Sequence, residues 1–187
     1  MSRVVPIPRL RPGVWMAALS LAVLFALASM AQAQIKPFVG QFSGSAAVER
    51  SDGTTQQRDM SVQISETRKG FKVRWKTTTY KADGRSKEKS YEIDFVPSDR
   101  DGVFAAAMKR NVFGHEVQLD PMKGEPYVWG QINGDTLTIY SLFVDPDGGY
   151  EIQQFDRTLA EGGMELVFRR LRNGVERRAI STFLERQ

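Results

Sequence analysis

The sequence predicts an all-β fold: an antiparallel up-and-down meander of about ten strands that closes into a β-barrel, behind an N-terminal signal peptide. Three features predict it. After residue 33 apolar and polar residues alternate with a period of two through most of the chain, the pattern of half-buried strands. Those runs are separated by "ADG" at 82–84, "SDRDG" at 98–102, "NGD" at 133–135, "DPDGG" at 145–149, "EGG" at 161–163 and "RNG" at 172–174. Gly, Asn and Asp tolerate the positive φ that tight hairpins require. Finally, no helical pattern is long enough for a βαβ crossover, so the strands connect to their neighbours. A meander of this size leaves two open edges, and closure removes them.

The N-terminal segment comes first. "MSRVVPIPRLRPG" carries Arg3, Arg9 and Arg11 and no acid, residues 14–30 run apolar, and Ala31 and Ala33 precede Gln34. A basic region, an apolar core and a small-residue site in that order form a secretory signal, with cleavage expected between Ala33 and Gln34. No second apolar run follows, so no stable membrane span is expected after cleavage.

The strands follow in order. Phe38, Gly40, Phe42, Gly44, Ala46 and Val48 make one apolar, small-residue face against Gln41, Ser43, Ser45 and Glu49. Met60, Val62 and Ile64 alternate with Asp59, Ser61 and Gln63; Phe71, Val73 and Trp75 alternate with Lys72, Arg74 and Lys76; Tyr91, Ile93 and Phe95 alternate with Glu92 and Asp94. The stretch 103–108 in "DGVFAAAMKRN" reads as a strand or as a short helix, because alanine favours helix. Residues 109–125 mix Gly114, Pro121 and Gly124 with scattered apolar residues and break the pattern, as a lid-like loop would. Strands are then expected at 127–132, 136–144, 150–159, 164–171 and 175–184.

Residues 34–187 are the size of one domain. The chain has Cys 0, which excludes thiol catalysis, thiolate metal sites and a lipoprotein anchor, and leaves the domain to a complete core rather than disulfides. The whole chain has Lys+Arg 26 against Asp+Glu 22; the signal holds three arginines and no acid, so the remainder carries 23 against 22. Near-neutral charge argues against nucleic-acid binding.

The first strand also carries a resemblance. "FVGQFSG", with Phe38, Gly40 and Phe42, resembles the glycine-x-aromatic opening of lipocalin-type and fatty-acid-binding-type (calycin-type) barrels. In those families a tryptophan seals the closed end and an arginine from a late strand packs over it. Here Phe42 stands in the tryptophan's place, and the late strands offer Arg169, Arg170, Arg177 and Arg178 for the covering role. The chain is also similar to uncharacterised exported bacterial proteins of this strand-rich kind.

No catalytic constellation emerges, and no enzyme is expected. His115 is the single histidine and has no Gly-x-Ser-x-Gly elbow to serve. Metal binding by His115, Glu116 and Asp120 is not expected, since adjacent residues of an extended segment point apart. "DPDGG" lacks the ligand spacing of a calcium loop and reads as a turn. The arginines of "FRRLRNGVERR" suit a phosphate or carboxylate, or pair across a surface hairpin with Glu165, Glu176 or Glu185.

The aromatic set Phe42, Phe71, Trp75, Tyr91, Phe95, Trp129, Tyr140 and Phe168 either lines a cavity or fills one, and alternation does not distinguish the two. The expectation is a periplasmic or secreted barrel that binds a lipid or other small apolar ligand without cofactor; the alternative is a solid-core interaction module whose protein partners the sequence does not name. The ligand would lie between Phe42 at the closed end and Trp75, Phe95 and Trp129. Arg178 is the expected headgroup partner because Ile180 and Leu184 share its strand parity, with Arg177, Ala179 and Phe183 as the competing register. Intact mass of the protein recovered from periplasm should begin at Gln34; a membrane-embedded product that keeps Met1 would overturn the export assignment.

Overall fold

The structure is a computed structural model and describes residues 34–49, 53–107, 109–110 and 116–187. The expected signal segment, Met108 and His115 lie outside the described residues. A 3-10 turn at Lys36–Phe38 precedes β1 (Gly40–Glu49), β2 (Thr55–Thr67), β3 (Gly70–Tyr80), β4 (Ser86–Pro97), β5 (Val103–Ala107), β6 (Lys109–Arg110) and β7 (Glu116–Val117). After a second 3-10 turn at Pro121–Lys123 come β8 (Tyr127–Asn133), β9 (Thr136–Val144), β10 (Tyr150–Ala160), β11 (Gly163–Arg172) and β12 (Val175–Arg186). The chain forms one closed antiparallel barrel in the order β1-β12-β11-β10-β9-β8-β5-β4-β3-β2, with β6 and β7 as a separate pair. This is the all-β meander that the alternation predicts, and it is compatible with a calycin-like fold. Among the described residues no helix is long and apolar enough to cross a membrane.

Residues 103–107 are strand, not helix. Phe104 and Ala106 turn inward and are almost fully buried, while β5 pairs with β4 on one side and β8 on the other. Ladder hydrogen bonds and burial of one face outweigh the helix preference of three alanines.

One end of the barrel is packed solid. Ile35, Phe38, Phe42, Phe71, Phe95 and Phe104 are all at most 1% exposed there. The rings of Phe71 and Phe95 stack at 5.0 Å, and Phe104 meets Phe71 edge-on at 4.9 Å. The 3-10 turn, which Pro37 helps to start, delivers Ile35 and Phe38 into this cluster. The arginine over Phe42 is Arg186, not any of Arg169, Arg170, Arg177 or Arg178. Its guanidinium sits 4.5 Å from the Phe42 ring centre and donates to Val39 O at 2.8 Å and Pro37 O at 3.1 Å. It therefore ties the last strand to the first strand and to the turn beneath it.

The closing seam is short. β1 and β12 share only the Cα partners Phe42↔Arg186 and Ser43↔Glu185, extended by Gln187 N donating to Gln41 O at 2.9 Å. Above them the regular ladder ends at Gly44, where a Cβ would stand 2.2 Å from Phe183 O. Only glycine permits that approach of two backbones. Thr182 Oγ1, donating to Ser45 O at 2.8 Å, is the next contact along the seam.

Strands β2 to β4 extend further than their alternation indicates. The β3–β4 hairpin continues through Thr77↔Lys89 and Thr79↔Lys87, whereas β4 meets β5 only from Asp94 onward, so Ser86 to Glu92 are exposed on both faces. A ribbon wetted on both faces has no apolar row for a sequence pattern to reveal. Near its tip, Tyr80 ties the ribbon to β2 by donating to Asp59 Oδ2 at 2.6 Å.

Replacing Arg186 with Ala should lower unfolding stability by about 1–2 kcal/mol, through lost charged hydrogen bonds and the contact with Phe42. Urea denaturation checks this; an unchanged midpoint would show that closure does not depend on Arg186.

Candidate functional site

Above the packed floor the barrel encloses a cavity of about 440 Å³ that opens at the opposite end, within the range of roughly 300–1,000 Å³ usual for small-molecule sites. Period-two geometry supplies its wall: Met60 and Val62 from β2, Trp75 from β3, Tyr91 from β4, Phe155 from β10, Leu166 and Phe168 from β11, Ile180 and Leu184 from β12. Register aligns these residues in rows, Val62↔Trp75↔Tyr91 on one side and Phe155↔Phe168↔Ile180 on the other. Trp75 stacks on Tyr91 at 5.4 Å, reaches across to Phe155 at 5.8 Å, and Phe155 meets Phe168 at 4.8 Å. The result is an aromatic belt around the lumen.

Arg157 lies at the floor of this belt. On β10 it is one inward step beyond Phe155, between Leu137 on β9 and Leu166 on β11. It is 2% exposed, and its guanidinium carbon stands 5.8 Å from the Trp75 ring centre and 5.6 Å from that of Phe155. Its Nε and Nη1 have no hydrogen-bond partner among the described residues. Asp156 cannot neutralise it directly, because adjacent residues of a strand point to opposite faces. That carboxylate instead accepts from Thr138 Oγ1 at 2.7 Å and Gln154 Nε2 at 2.8 Å. Burial pulls the Arg157 pKa down to about 10, against the opposing pull of the Asp156 charge. The side chain thus remains a cation at neutral pH, buried among rings and leucines.

Among the described residues the charged side chains that line the cavity are all basic: Arg58, Lys81, Lys87, Lys89, Arg157, Arg170 and Arg178, with Lys76 at its edge paired to Glu88. Around the mouth, Arg170 Nε lies 3.6 Å from Glu151 Oε2, Arg172 pairs with Asp145 at 2.6 Å, and Arg169 lies 3.9 Å from Glu176. The "DPDGG" stretch is a hairpin turn, closed by Asp145 N to Gly149 O at 2.7 Å. Among the described residues no three His, Cys, Asp or Glu side chains gather to hold a metal ion.

Of the residues singled out from sequence, Trp75 and Arg178 line the cavity, as do Tyr91 and Phe168. Phe42, Phe71 and Phe95 lie below it in the packed floor. Trp129 is on the outer wall, stacked on Tyr140 at 4.7 Å and beside Tyr127. It faces outward because its neighbours Val128 and Gly130 are the buried, inward pair. Sequence reading missed Arg157, Phe155 and the lysine row of the β3–β4 hairpin. For Arg157 a signal was present: it shares parity with Gln153, Phe155 and Leu159. Ile152 on the other face blurred it.

A buried cation without a partner is destabilising, and an apolar side chain of similar volume relieves that cost. Arg157→Met should therefore stabilise the ligand-free protein by about 1–4 kcal/mol, read as a higher midpoint in thermal or urea unfolding. A lower midpoint would mean that Arg157 supports the fold. No protein-family model matches this chain and no curated protein is significantly similar to it.

Proposed function

We propose that this protein is an exported binding protein whose barrel cavity takes a lipid-like ligand with an anionic group. The chain of the ligand lies against the aromatic belt, and a carboxylate or phosphate oxygen group accepts from Arg157. The observation that carries this reading is a nearly fully buried, hydrogen-bond-deficient guanidinium beside the aromatic belt of a cavity that no carboxylate lines among the described residues. Charge-assisted, forked hydrogen bonds to an anion satisfy Nε and an Nη together. Each methylene buried in the belt adds about 0.8 kcal/mol before ordering costs. Export rests on the signal-like N-terminus. The alternative, a solid-core interaction module, has no use for the space above the floor or for Arg157.

Trp75 provides the test, because it lines the cavity while Trp129 stacks outside on Tyr140. Delipidated protein carrying Trp129→Phe should show a saturable change in Trp75 emission with a long-chain fatty acid. The matching fatty alcohol should bind roughly tenfold or more weakly, since it brings no charge to Arg157. Arg157→Gln should bring the acid and the alcohol close together. No saturable change with fatty acid or lysophospholipid would overturn the proposal.

A further inference from the structure

We infer that the ligand bears two anionic groups, one at each end of an apolar segment: the inner group on Arg157, the outer group among Arg178, Lys87 and Lys89 at the cavity mouth. This rests on the reading of the cavity as a binding site and specifies the ligand class.

The mouth supplies the second site independently of Arg157. Arg170 and Arg178 are direct Cα partners across β11 and β12, a like-charge juxtaposition that costs stability unless an anion lies between or beside the pair. Glu151 takes Arg170, at 3.6 Å. Arg178 has no carboxylate within ion-pair distance among the described residues, and it lines the cavity together with Lys87 and Lys89 of the β3–β4 hairpin. Those two lysines are equally without an ion pair there. The acids nearest them in the hairpin are committed elsewhere: Asp83 binds Arg85 at 2.5 Å, and Glu88 lies 3.2 Å from Lys76. Three cations therefore line the entrance with no described carboxylate to offset them.

Arg157 and the Arg170–Arg178 pair sit on different inward rows, with the row of Phe155, Phe168 and Ile180 between them. Gln153, Arg170 and Arg178 share one row through their Cα partners, and Arg157 lies four residues from Gln153 along β10. Four residues of strand separate the Arg157 and Gln153 Cα atoms by ~13 Å. Between the levels the wall is Trp75, Phe155, Phe168 and Ile180, which offers an anion nothing and an alkyl or aryl segment a great deal. An α,ω-dianion with an apolar spacer neutralises the floor and the mouth at once. A dicarboxylate and a carboxylate with a terminal phosphate share this chemistry.

Calorimetric titration of the delipidated protein tests this, with saturated α,ω-dicarboxylates of graded length, ω-phosphorylated carboxylates, and monocarboxylates of matching carbon number. At one chain length a dianion should bind roughly tenfold or more tightly than its monoanionic counterpart, and whether the carboxylate or the phosphate series shows the larger gain identifies the outer group. In the combined variant Lys87→Gln, Lys89→Gln, Arg178→Gln, whose positions are on the barrel rim, that ratio should fall close to one. Monocarboxylates that bind while no dianion of any length binds more tightly would overturn the two-anion inference and leave the single-anion reading standing. A dianion advantage undiminished in the combined variant would overturn it as well. Failure of every series to bind would overturn the binding-site reading itself, and this inference with it.

Discussion

A ring of ten strands is only as sound as the place where its first and last members meet, and here that ladder is two residue pairs long. The join sits at the packed floor, where Arg186 spans Phe42, Val39 O and Pro37 O and so ties β12, β1 and the entry turn into one unit. Every inward row above takes its height from this register. In a strand the side chains alternate strictly, so a slip of one residue would exchange the aromatic belt for the polar outer face. The tight approach at Gly44 marks the limit of the ladder, beyond which a side-chain bond from Thr182 to Ser45 O continues the seam. The same devices that close the bottom leave the top free to be hollow.

The two halves of the lumen are built on opposite rules. Below, phenylalanine rings pack in an apolar cluster. Above, wide rings line a space, and the charges that face it are cations. Hydrophobic burial at the floor can carry a domain without disulfides, and that surplus lets the upper half keep a feature that burial alone would reject: a charged guanidinium at 2% exposure. Retaining such a group costs folding stability, a cost that the proposed anionic ligand would offset. The outer wall offers no such conflict. There Arg74 pairs with Glu92, Lys72 lies 2.5 Å from the same carboxylate, and Asp156 is held by Thr138 and Gln154.

The parts of the site that sequence exposes are those on cleanly alternating strands. Trp75 follows from Phe71 and Val73, and Arg178 follows from Ile180 and Leu184, because each sits two or four residues from an apolar inward neighbour. Strands with apolar residues on both faces hide their polarity. In β10, Ile152 joins Tyr127, Leu142 and Leu171 in a row along the outside of the barrel, so the inward row of Phe155, Arg157 and Leu159 does not stand out. Trp129 misleads for the same reason: a large ring on an outer wall, stacked on Tyr140, looks like core when only composition is considered. The lysine row at 87 and 89 is invisible to pattern altogether, since both faces of that ribbon are polar.

By itself, the sequence determines that this is an all-β, antiparallel, disulfide-free domain, because alternation and turn chemistry are local properties that each strand and each hairpin settles within a few residues. It does not determine which end is solid, which late arginine covers Phe42, or that Arg157 has no ion-pair partner among the described residues. Those depend on register and closure, which bring β10 opposite β3 and β12 against β1 across most of the chain length. The distance between two charges across a barrel is a property of the closed ring, and no single strand contains it.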